Sequence, residues 1–595
     1  MPRIVVLDEI TANQIAAGEV VERPASVVKE LLENAFDAGA SKVSVEIRGG
    51  GRDEIKVTDN GCGMDETDSE TAFQRHATSK INNINDINDI RSLGFRGEAL
   101  PSIAAVSKVV LITRPPDTDS GTRLTVQGGR LLSRSPAGCP AGTSIIVSDL
   151  FYNTPARLKY MKTKSAESGQ ISDVVTRLAM ARPDISIKLE NEGRTSFHST
   201  GTGHYIDALA AVYGAETAKE FIPIEGAEDQ VSIKGLIASP LVSRSSKKHI
   251  TVIINGRYVR NPLINTAVLE GYGTLLTQGR FPLGLISVKL DPGFLDVNVH
   301  PSKMVVRISG ESKLFNLVKR TVMAALRTEK IIPGFSPEAD YGTQRSDYTG
   351  SLSVSEKSVP PHPIPEPPQS VFVSPGQVPR VGQTVDHRSL SPMPGLFVPV
   401  EKLLETIYPI GFLPPTYILA GSINGLFIID HHAAHERILY EKFLGMLNNK
   451  KVNSQILLVP SVVQLSPREF QIAEGNLDYI CSLGIQAQFF GSNSLVIREI
   501  PAEMTTVPVE DVLRDLLEYL YESGQPVHRE ELIKKMATSA ACRAAIKSGT
   551  KSAMEEAWSI IRGLADADVP YTCPHGRPTM ININDHELKT RFKRT

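Results

Sequence analysis

Five cysteines and one tryptophan are all that 595 residues contain, and aromatic residues make up only 6%. Net charge is nearly absent as well, at −2 from 64 basic and 66 acidic side chains. Each shortage excludes something. Cys62, Cys139, Cys481, Cys542 and Cys573 are too few and too scattered to staple a secreted framework. Balanced charge excludes a uniformly basic nucleic-acid coat but leaves room for a local basic groove. No apolar run approaches the roughly 18 residues that span a bilayer. Asp8 and Glu9 interrupt the N-terminus too early for a signal peptide. A cytoplasmic protein without a membrane partner is expected. The phosphate-loop pattern G-x-x-x-x-G-K-[ST] is also missing, because Gly549-Thr550-Lys551-Ser552 has no glycine directly before its lysine.

What is present is an ordinary globular composition, 41% hydrophobic and 22% charged. Cores rarely grow beyond about 250–300 residues, so two to four domains are expected. Residues 331–400 hold 13 of the 39 prolines and no hydrophobic periodicity, which reads as a linker. The predicted segments are 1–215, 216–332, the linker 333–402, and 403–595. Val27, Val28, Leu31, Leu32, Ala35 and Phe36 recur at helical spacing behind Pro24. Asn255-Gly256 after Ile250-Thr251-Val252-Ile253-Ile254 predicts a tight hairpin. Strand-like 416–429 precedes a helical run from His432.

Three polar clusters stand in the first part. Glu30 and Asn34 fall one turn apart on a helix whose other stripe is apolar. Asp59-Asn60-Gly61-Cys62-Gly63 follows a strand, and its carboxylate suits an adenine amine while glycines let a ring approach the backbone. Gly94-Phe95-Arg96-Gly97-Glu98-Ala99-Leu100 is a glycine-hinged loop suited to wrapping phosphates. Singly these read as a solvated helix face, a turn and an ordinary loop. Their joint order points to a nucleotide site.

These runs, with Asn13-Gln14-Ile15-Ala16-Ala17-Gly18-Glu19-Val20-Val21, Arg75-His76-Ala77-Thr78-Ser79-Lys80, Phe151-Tyr152-Asn153-Thr154-Pro155-Ala156-Arg157 and Asp296-Val297-Asn298-Val299-His300-Pro301-Ser302-Lys303, resemble the MutL family of DNA mismatch-repair proteins. The resemblance covers most of residues 1–330. It places the chain in the ATPase superfamily of gyrase B subunits, histidine kinases and heat-shock chaperones (GHKL). It implies ATP and Mg2+ as cofactors, with Glu30 as the general base on water and Asn34 holding the magnesium ion. Asp59 would bind adenine beside Gly61 and Gly63, with Thr143 supporting the base. Thr78, Ser79 and Lys80 with Gly94, Phe95, Arg96, Gly97, Glu98 and Ala99 would form the nucleotide lid. Lys303 would reach the γ-phosphate.

A second cluster begins at Asp430-His431-His432-Ala433-Ala434-His435-Glu436 and ends at Glu441. On a helix His432 and Glu436 project together, and Ala541-Cys542 and Cys573-Pro574-His575-Gly576-Arg577-Pro578 add further donors. Thiolate and imidazole favour zinc, while Asp430 and Glu441 suit manganese or magnesium. A structural zinc site would use the same residues. Some MutL proteins carry an endonuclease motif Asp-Gln-His-Ala-x-x-Glu-x-x-x-x-Glu, and this chain resembles it at Asp430, His432, Ala433, Glu436 and Glu441, with His431 in place of glutamine. By that resemblance Asp430, His432, Glu436, Cys542, Cys573 and His575 surround Zn2+ and/or Mn2+, with Asp430 and Glu436 catalytic in nicking and Glu441 less direct. Gln455-Ile456-Leu457-Leu458-Val459-Pro460 reads as a buried strand on composition. It is also similar to the peptide that docks repair proteins on a sliding clamp, through Gln455, Leu457, Leu458 and Pro460.

No compact basic run advertises DNA binding. Lys159, Lys162, Lys164, Arg177, Arg182, Lys247, Lys248, Arg257 and Arg260 are candidates for phosphate contacts, none of them singled out. The expected architecture is α+β and multidomain. It comprises a GHKL-type ATPase α/β sandwich, a transducer domain like ribosomal protein S5, a Pro-rich linker, and a mixed α/β dimerisation and endonuclease domain. The resemblance implies a homodimer, largely sequence-independent DNA contact, and a MutS-type partner for mismatch recognition. The competing readings are an ATP-switched matchmaker whose C-terminal part only dimerises and holds structural zinc, and another superfamily member such as a topoisomerase subunit or chaperone.

Overall fold

The structure is a computed structural model that describes most of residues 17–80, 97–328 and 406–594. Gly94, Phe95, Arg96, Lys303 and the Pro-rich segment 333–402 lie outside the described residues. Helix α1 (Pro24–Asp37) starts with Pro24 in its first turn, where a missing N–H leaves no bond unmade. Its apolar stripe, Val27, Val28, Leu31, Leu32, Ala35 and Phe36, is at most 4% exposed. Truncating Leu32 to alanine in such a site costs about 2–5 kcal/mol.

The stripe packs on an eight-stranded sheet. Its strands are β1 (Lys42–Arg48), β2 (Glu54–Asp59), β3 (Lys108–Arg114), β4 (Gly121–Gln127), β5 (Arg130–Ala137), β6 (Gly142–Ser148), β7 (Ser186–Asn191) and β8 (Arg194–His198), in the order β5-β4-β3-β6-β2-β1-β7-β8. Alternation in β1 and β2 sends Val43, Val45, Ile47, Ile55 and Val57 inward. Helices α2 (Ala99–Ala105) and α3 (Lys164–Ala181) complete the helical layer. Ile103, Ile171 and Val175 share one core with Leu31 and Val45.

A second sheet takes strands β9 (Phe221–Glu228), β10 (Val231–Ala238), β11 (Ile250–Ile254), β12 (Arg257–Val259) and β13 (Gly284–Lys289) in the order β12-β11-β13-β10-β9. Asn255 and Gly256 turn β11 into β12 with φ of 47° and 81°, the positive values that the tight hairpin requires. Helices α4 (Pro262–Tyr272) and α5 (Glu311–Thr328) close its core.

The C-terminal part holds two smaller sheets. One joins β14 (Tyr408–Leu413), β15 (Tyr417–Ser422), β16 (Gly425–Asp430) and, last in the chain, β20 (Met580–Ile583). The other orders β17 (Ser454–Gln464), β18 (Gln486–Phe490) and β19 (Ser494–Pro501) as β17-β19-β18. Helix α6 (His431–Asn448) serves both, with Ala434 in the first core and Phe443 and Leu447 in the second. Helices α7 (Pro467–Glu474), α8 (Val509–Ser523) and α9 (Arg529–Ala544) line the second core, and α10 (Met554–Ala565) lines the first.

Residues 1–331 and 403–595 together make one compact unit, with α3 lying on α7. Asn191 Nδ2 donates to Gln471 Oε1 at 2.5 Å, and Asp173 Oδ1 is 3.6 Å from Arg468 Nη1. Gly169 lets the two helices approach, because a methyl group there would stand 3.0 Å from Ile472 Cδ1. Among the described residues no helix is long and apolar enough to cross a membrane.

Candidate functional site

Two constellations emerge from this frame. In the first, Glu30 and Asn34 share the half-buried edge of α1 opposite its apolar stripe. Lys29 Nζ lies 3.1 Å from Glu30 Oε1 and 2.9 Å from Glu33 Oε1. Burial works to lower the Lys29 pKa, but the Glu33 and Glu30 carboxylates outweigh it and hold the ammonium above its ordinary value. Asp37, one turn beyond Asn34, completes a row of oxygens. Lys80 Nζ donates to Asn34 Oδ1 at 3.0 Å and to Asp37 Oδ2 at 2.5 Å, so these oxygens already converge on one cation.

The 59–63 loop abuts the end of α1, where the Cys62 amide donates to the Ala38 carbonyl at 3.0 Å. Asp59 accepts from the Gly61 amide at 2.8 Å and from the Thr143 amide. Thr143 faces Asp59 directly across the β2–β6 ladder. Burial raises the Asp59 carboxyl above its usual range, opposed by those two amides. Both glycines of the loop are sterically required. A methyl on Gly61 would meet the Ala38 carbonyl oxygen at 2.8 Å, and one on Gly63 would meet that of Arg114 at 2.2 Å. Thr143 Oγ1 is 3.1 Å from Thr113 Oγ1, whose oxygen also accepts from the Met64 amide.

The segments on either side of residues 81–96 meet. The His76 amide donates to the Gly97 carbonyl at 3.1 Å, and Gly97 adopts φ 61° with no room for a side chain beside Ala77. Thr78 Oγ1 accepts from the Lys80 amide at 3.2 Å, Glu98 Oε1 is 3.8 Å from His76 Nδ1, and Ala99 opens α2. Ser79 lies between Thr78 and Lys80 in the chain.

The sequence pattern did not single out Asp37, and it gave Arg257 a different place from the one it takes beside the α1 carboxylates. The first was legible at i+3 from Asn34. The second was not, because it arrives from β12 of the other sheet, buried in the field of Glu33, Asp37 and Glu30. Burial lowers its pKa and those carboxylates oppose the shift. Arg257 and Arg177 were candidates for surface phosphate contacts. Both are buried, and Arg177 is bound to Asp173 at 2.9 Å, so neither side chain is presented to solvent.

In the second constellation Asp430 ends β16 and caps α6, its Oδ1 accepting from the Ala433 amide at 3.0 Å. Two turns of that helix bring Glu436 inward, where Oε1 is 2.9 Å from His575 Nδ1. The 573–577 loop is a tight turn in which Cys573 N donates to the Arg577 carbonyl at 2.8 Å, placing thiol and imidazole on one side. Among the described residues, ligand atoms of Glu436, Cys573 and His575 lie within 4.8 Å of one another. Cys542, at the end of α9, hydrogen-bonds Glu436, and His432 acts on Glu436 electrostatically.

Burial works to raise the Glu436 pKa, but His575, Cys573 and His432 together hold it below the usual carboxylate range. Desolvation of the Cys542 thiol, then the Glu436 charge, pushes its pKa up to about 11 even though part of the residue is exposed. Sulfur, imidazole and carboxylate donors at this separation fit a zinc-like ion.

Glu441 takes no part in that group. Its carboxylate accepts the Asp568 and Val569 amides at 2.7 and 3.1 Å and pairs with Arg437, fixing the strap that leads to Cys573. His431 is buried with Nε2 3.5 Å from Glu556 Oε1 on α10. The 455–460 run is a strand, as composition suggests, but it is not buried. The β17–β19 register breaks between Ile456 and Ser461. Gln455, Val459 and Pro460 are exposed there, Leu457 is half-buried, and Leu458 is 100% exposed.

Comparison with known proteins decides the family. The model described as "Histidine kinase-, DNA gyrase B-, and HSP90-like ATPase" matches residues 22–128. "DNA mismatch repair protein, C-terminal domain" matches 209–327, and "MutL C terminal dimerisation domain" matches 410–552. The DNA mismatch repair protein MutL of Pelotomaculum thermopropionicum is 43% identical over 610 residues, covering 100% of both chains. That of Desulforamulus reducens is 40% identical over 642 residues with the same coverage. The chain belongs to the MutL family. With membership come DNA mismatch repair, a GHKL-type ATPase domain and a C-terminal dimerisation domain. A solved structure titled "Aquifex aeolicus MutL ATPase domain complexed with ADP" is 24% identical, covers 50% of this chain and 98% of that one, and has a TM-score of 0.37.

Proposed function

We propose that this MutL-family chain couples ATP turnover in its N-terminal part to metal-dependent DNA nicking in its C-terminal part. Segments 1–215 and 216–332 would be the ATPase and transducer domains, 333–402 the linker, and 403–595 the dimerisation and nuclease domain. Glu30 would take a proton from the attacking water, Lys29 holding its carboxylate in place. Asn34, with Asp37, would hold Mg2+, for which an all-oxygen donor set is suited. Asp59 would accept the adenine amine, the two glycines giving the ring access and Thr143 fixing the carboxylate. Thr78, Ser79, Lys80 and the 94–99 run would enclose the phosphates, and Lys303 would reach the terminal one. Phosphoryl transfer depends chiefly on such positioning and charge neutralisation.

In the C-terminal part Glu436, Cys573 and His575, with Cys542, His432 and Asp430, would hold Zn2+ or Mn2+. A bound ion there supplies an activated water and a counter-charge for the cleaved phosphodiester. The observation that carries this reading is convergence: a helix residue at 436 meets a loop at 573–575 within ligand reach. Exposure of Leu458 and its neighbours on a broken ladder supports docking to a sliding clamp. Exposed Tyr408, Ile410 and Ile581 on the β14–β20 sheet support homodimerisation there. DNA and a MutS-type protein are the further partners, and the cytoplasm the location.

The deciding experiment is nicking of supercoiled plasmid by the full chain with manganese. Wild type should nick, and Asp430→Asn should not while keeping its fold. Zinc content without nicking in either protein would instead favour the matchmaker with structural zinc.

A further inference from the structure

Helix α8 carries Asp511, Asp515, Glu518 and Glu522. Spacings of four, three and four put all four on one helical face, spread over about 16 Å of axis. A row of carboxylates this regular would ordinarily face water. Here it lies on the 243–249 segment and on Arg280 of the N-terminal part. Asp511 Oδ1 is 3.7 Å from Arg280 Nη2, and Asp515 bonds the Ser245 side chain. Glu518 Oε2 is 3.9 Å from His249 Nε2, and Glu522 Oε1 is 2.7 Å from Lys248 Nζ. Each carboxylate thus faces a residue of the N-terminal part, the His249 imidazole being held neutral by burial, while Arg543 also pairs with Asp511 and Asp515 and Arg468 with Glu518 from within the C-terminal part.

The accepting strip reads Ser243-Arg244-Ser245-Ser246-Lys247-Lys248-His249. Three permanent cations and three hydroxyls in seven residues form a composition that holds phosphate oxygens through charge and hydrogen bonds at once. About 16 Å of carboxylates corresponds in axial length to about five phosphates of one DNA strand. At the Arg280 end of the strip, Asp511 also accepts from Arg543 Nη1 at 2.7 Å, and Arg543 follows Cys542 directly in α9. A strand laid along it would therefore run towards the Glu436 cluster.

We propose that the acidic face of α8 is an internal stand-in for a DNA backbone, docked on a phosphate-binding strip formed by 243–249 and Arg280. DNA and α8 then compete for one surface, and DNA entry displaces the C-terminal part from the N-terminal part. The inference rests on the DNA-processing reading above.

The test uses the full chain. Zero-length carbodiimide coupling joins an amine to a touching carboxylate, so Lys248 and Glu522 should link in the free protein, as read by mass spectrometry. Saturating duplex DNA should suppress the link at least several-fold. Both side chains are about half exposed, so Glu522→Gln folds normally, and it should tighten duplex binding about 2- to 5-fold at low salt. The swap Lys248→Glu with Glu522→Lys should keep the link yet weaken duplex binding. Duplex bound with the link intact, or an unchanged affinity in Glu522→Gln, overturns this inference alone. Failure of every variant to bind duplex at any salt overturns it together with the DNA-processing reading.

Discussion

The Glu30 region and the Glu436 cluster each gather charged and polar groups in one place, by opposite means. In the first, Glu30, Asn34 and Asp37 come from consecutive turns of one helix, and Asp59 faces Thr143 across one ladder. Backbone hydrogen bonds fix these positions before any ligand arrives. In the second, Glu436, Cys542, Cys573 and His575 come from α6, the end of α9 and a loop. Only the packing of two separate cores around α6 brings them together. A site made by secondary structure should tolerate loss of a side chain in its geometry and lose only chemistry. A site made by tertiary packing should lose geometry and chemistry together.

The largest expected effect sharpens that contrast. Glu30→Ala should lower ATP turnover about 10²- to 10⁴-fold while nucleotide binding, measured by a fluorescent analogue, stays within a few-fold. Comparable loss of binding would break the comparison. Cys573→Ser should lower zinc affinity by at least about tenfold, read by metal content after dialysis. It should also loosen the 573–577 turn, seen as faster amide exchange there.

Asp59→Asn should act in two opposite directions. The folded Asp59 pKa lies above its ordinary value because of burial, so ionisation at pH 7 works against the fold. Stability from this group is greatest below the unfolded pKa and falls as pH rises through the raised one. The neutral asparagine should therefore raise the thermal midpoint at pH 7, abolish its change across that window, and weaken adenine-nucleotide binding. A lowered midpoint would show that the two amides outweigh burial. The smallest effect belongs to Glu441→Gln, which keeps one acceptor for the 568–569 amides but loses the Arg437 pair. It should cost about 1–2 kcal/mol in chemical denaturation and reduce metal affinity less than Cys573→Ser does.

Local pattern accounts for more of the Glu30 region than of the Glu436 cluster. Helical spacing sufficed for Glu30 and Asn34, and Asn255-Gly256 announced its own turn. The 455–460 run was misjudged by composition, because a broken register turns an aliphatic strand outward. Arg177 and Arg257 have the composition of surface cations, yet both lie buried against carboxylates supplied by other elements.

Local pattern alone therefore determined α1 with its polar edge, the glycines around Asp59, and the start of α6 behind Asp430. These follow from periodicity and backbone sterics, which act over a few residues. The meeting of Glu436 with Cys573 and His575, the strap held by Glu441, and the seating of the α8 carboxylates on 243–249 were decided by tertiary structure. Those contacts join residues 127 to 274 positions apart. Only the collapse of apolar surfaces elsewhere in the chain sets which distant side chains are driven together, so no local rule could have supplied them.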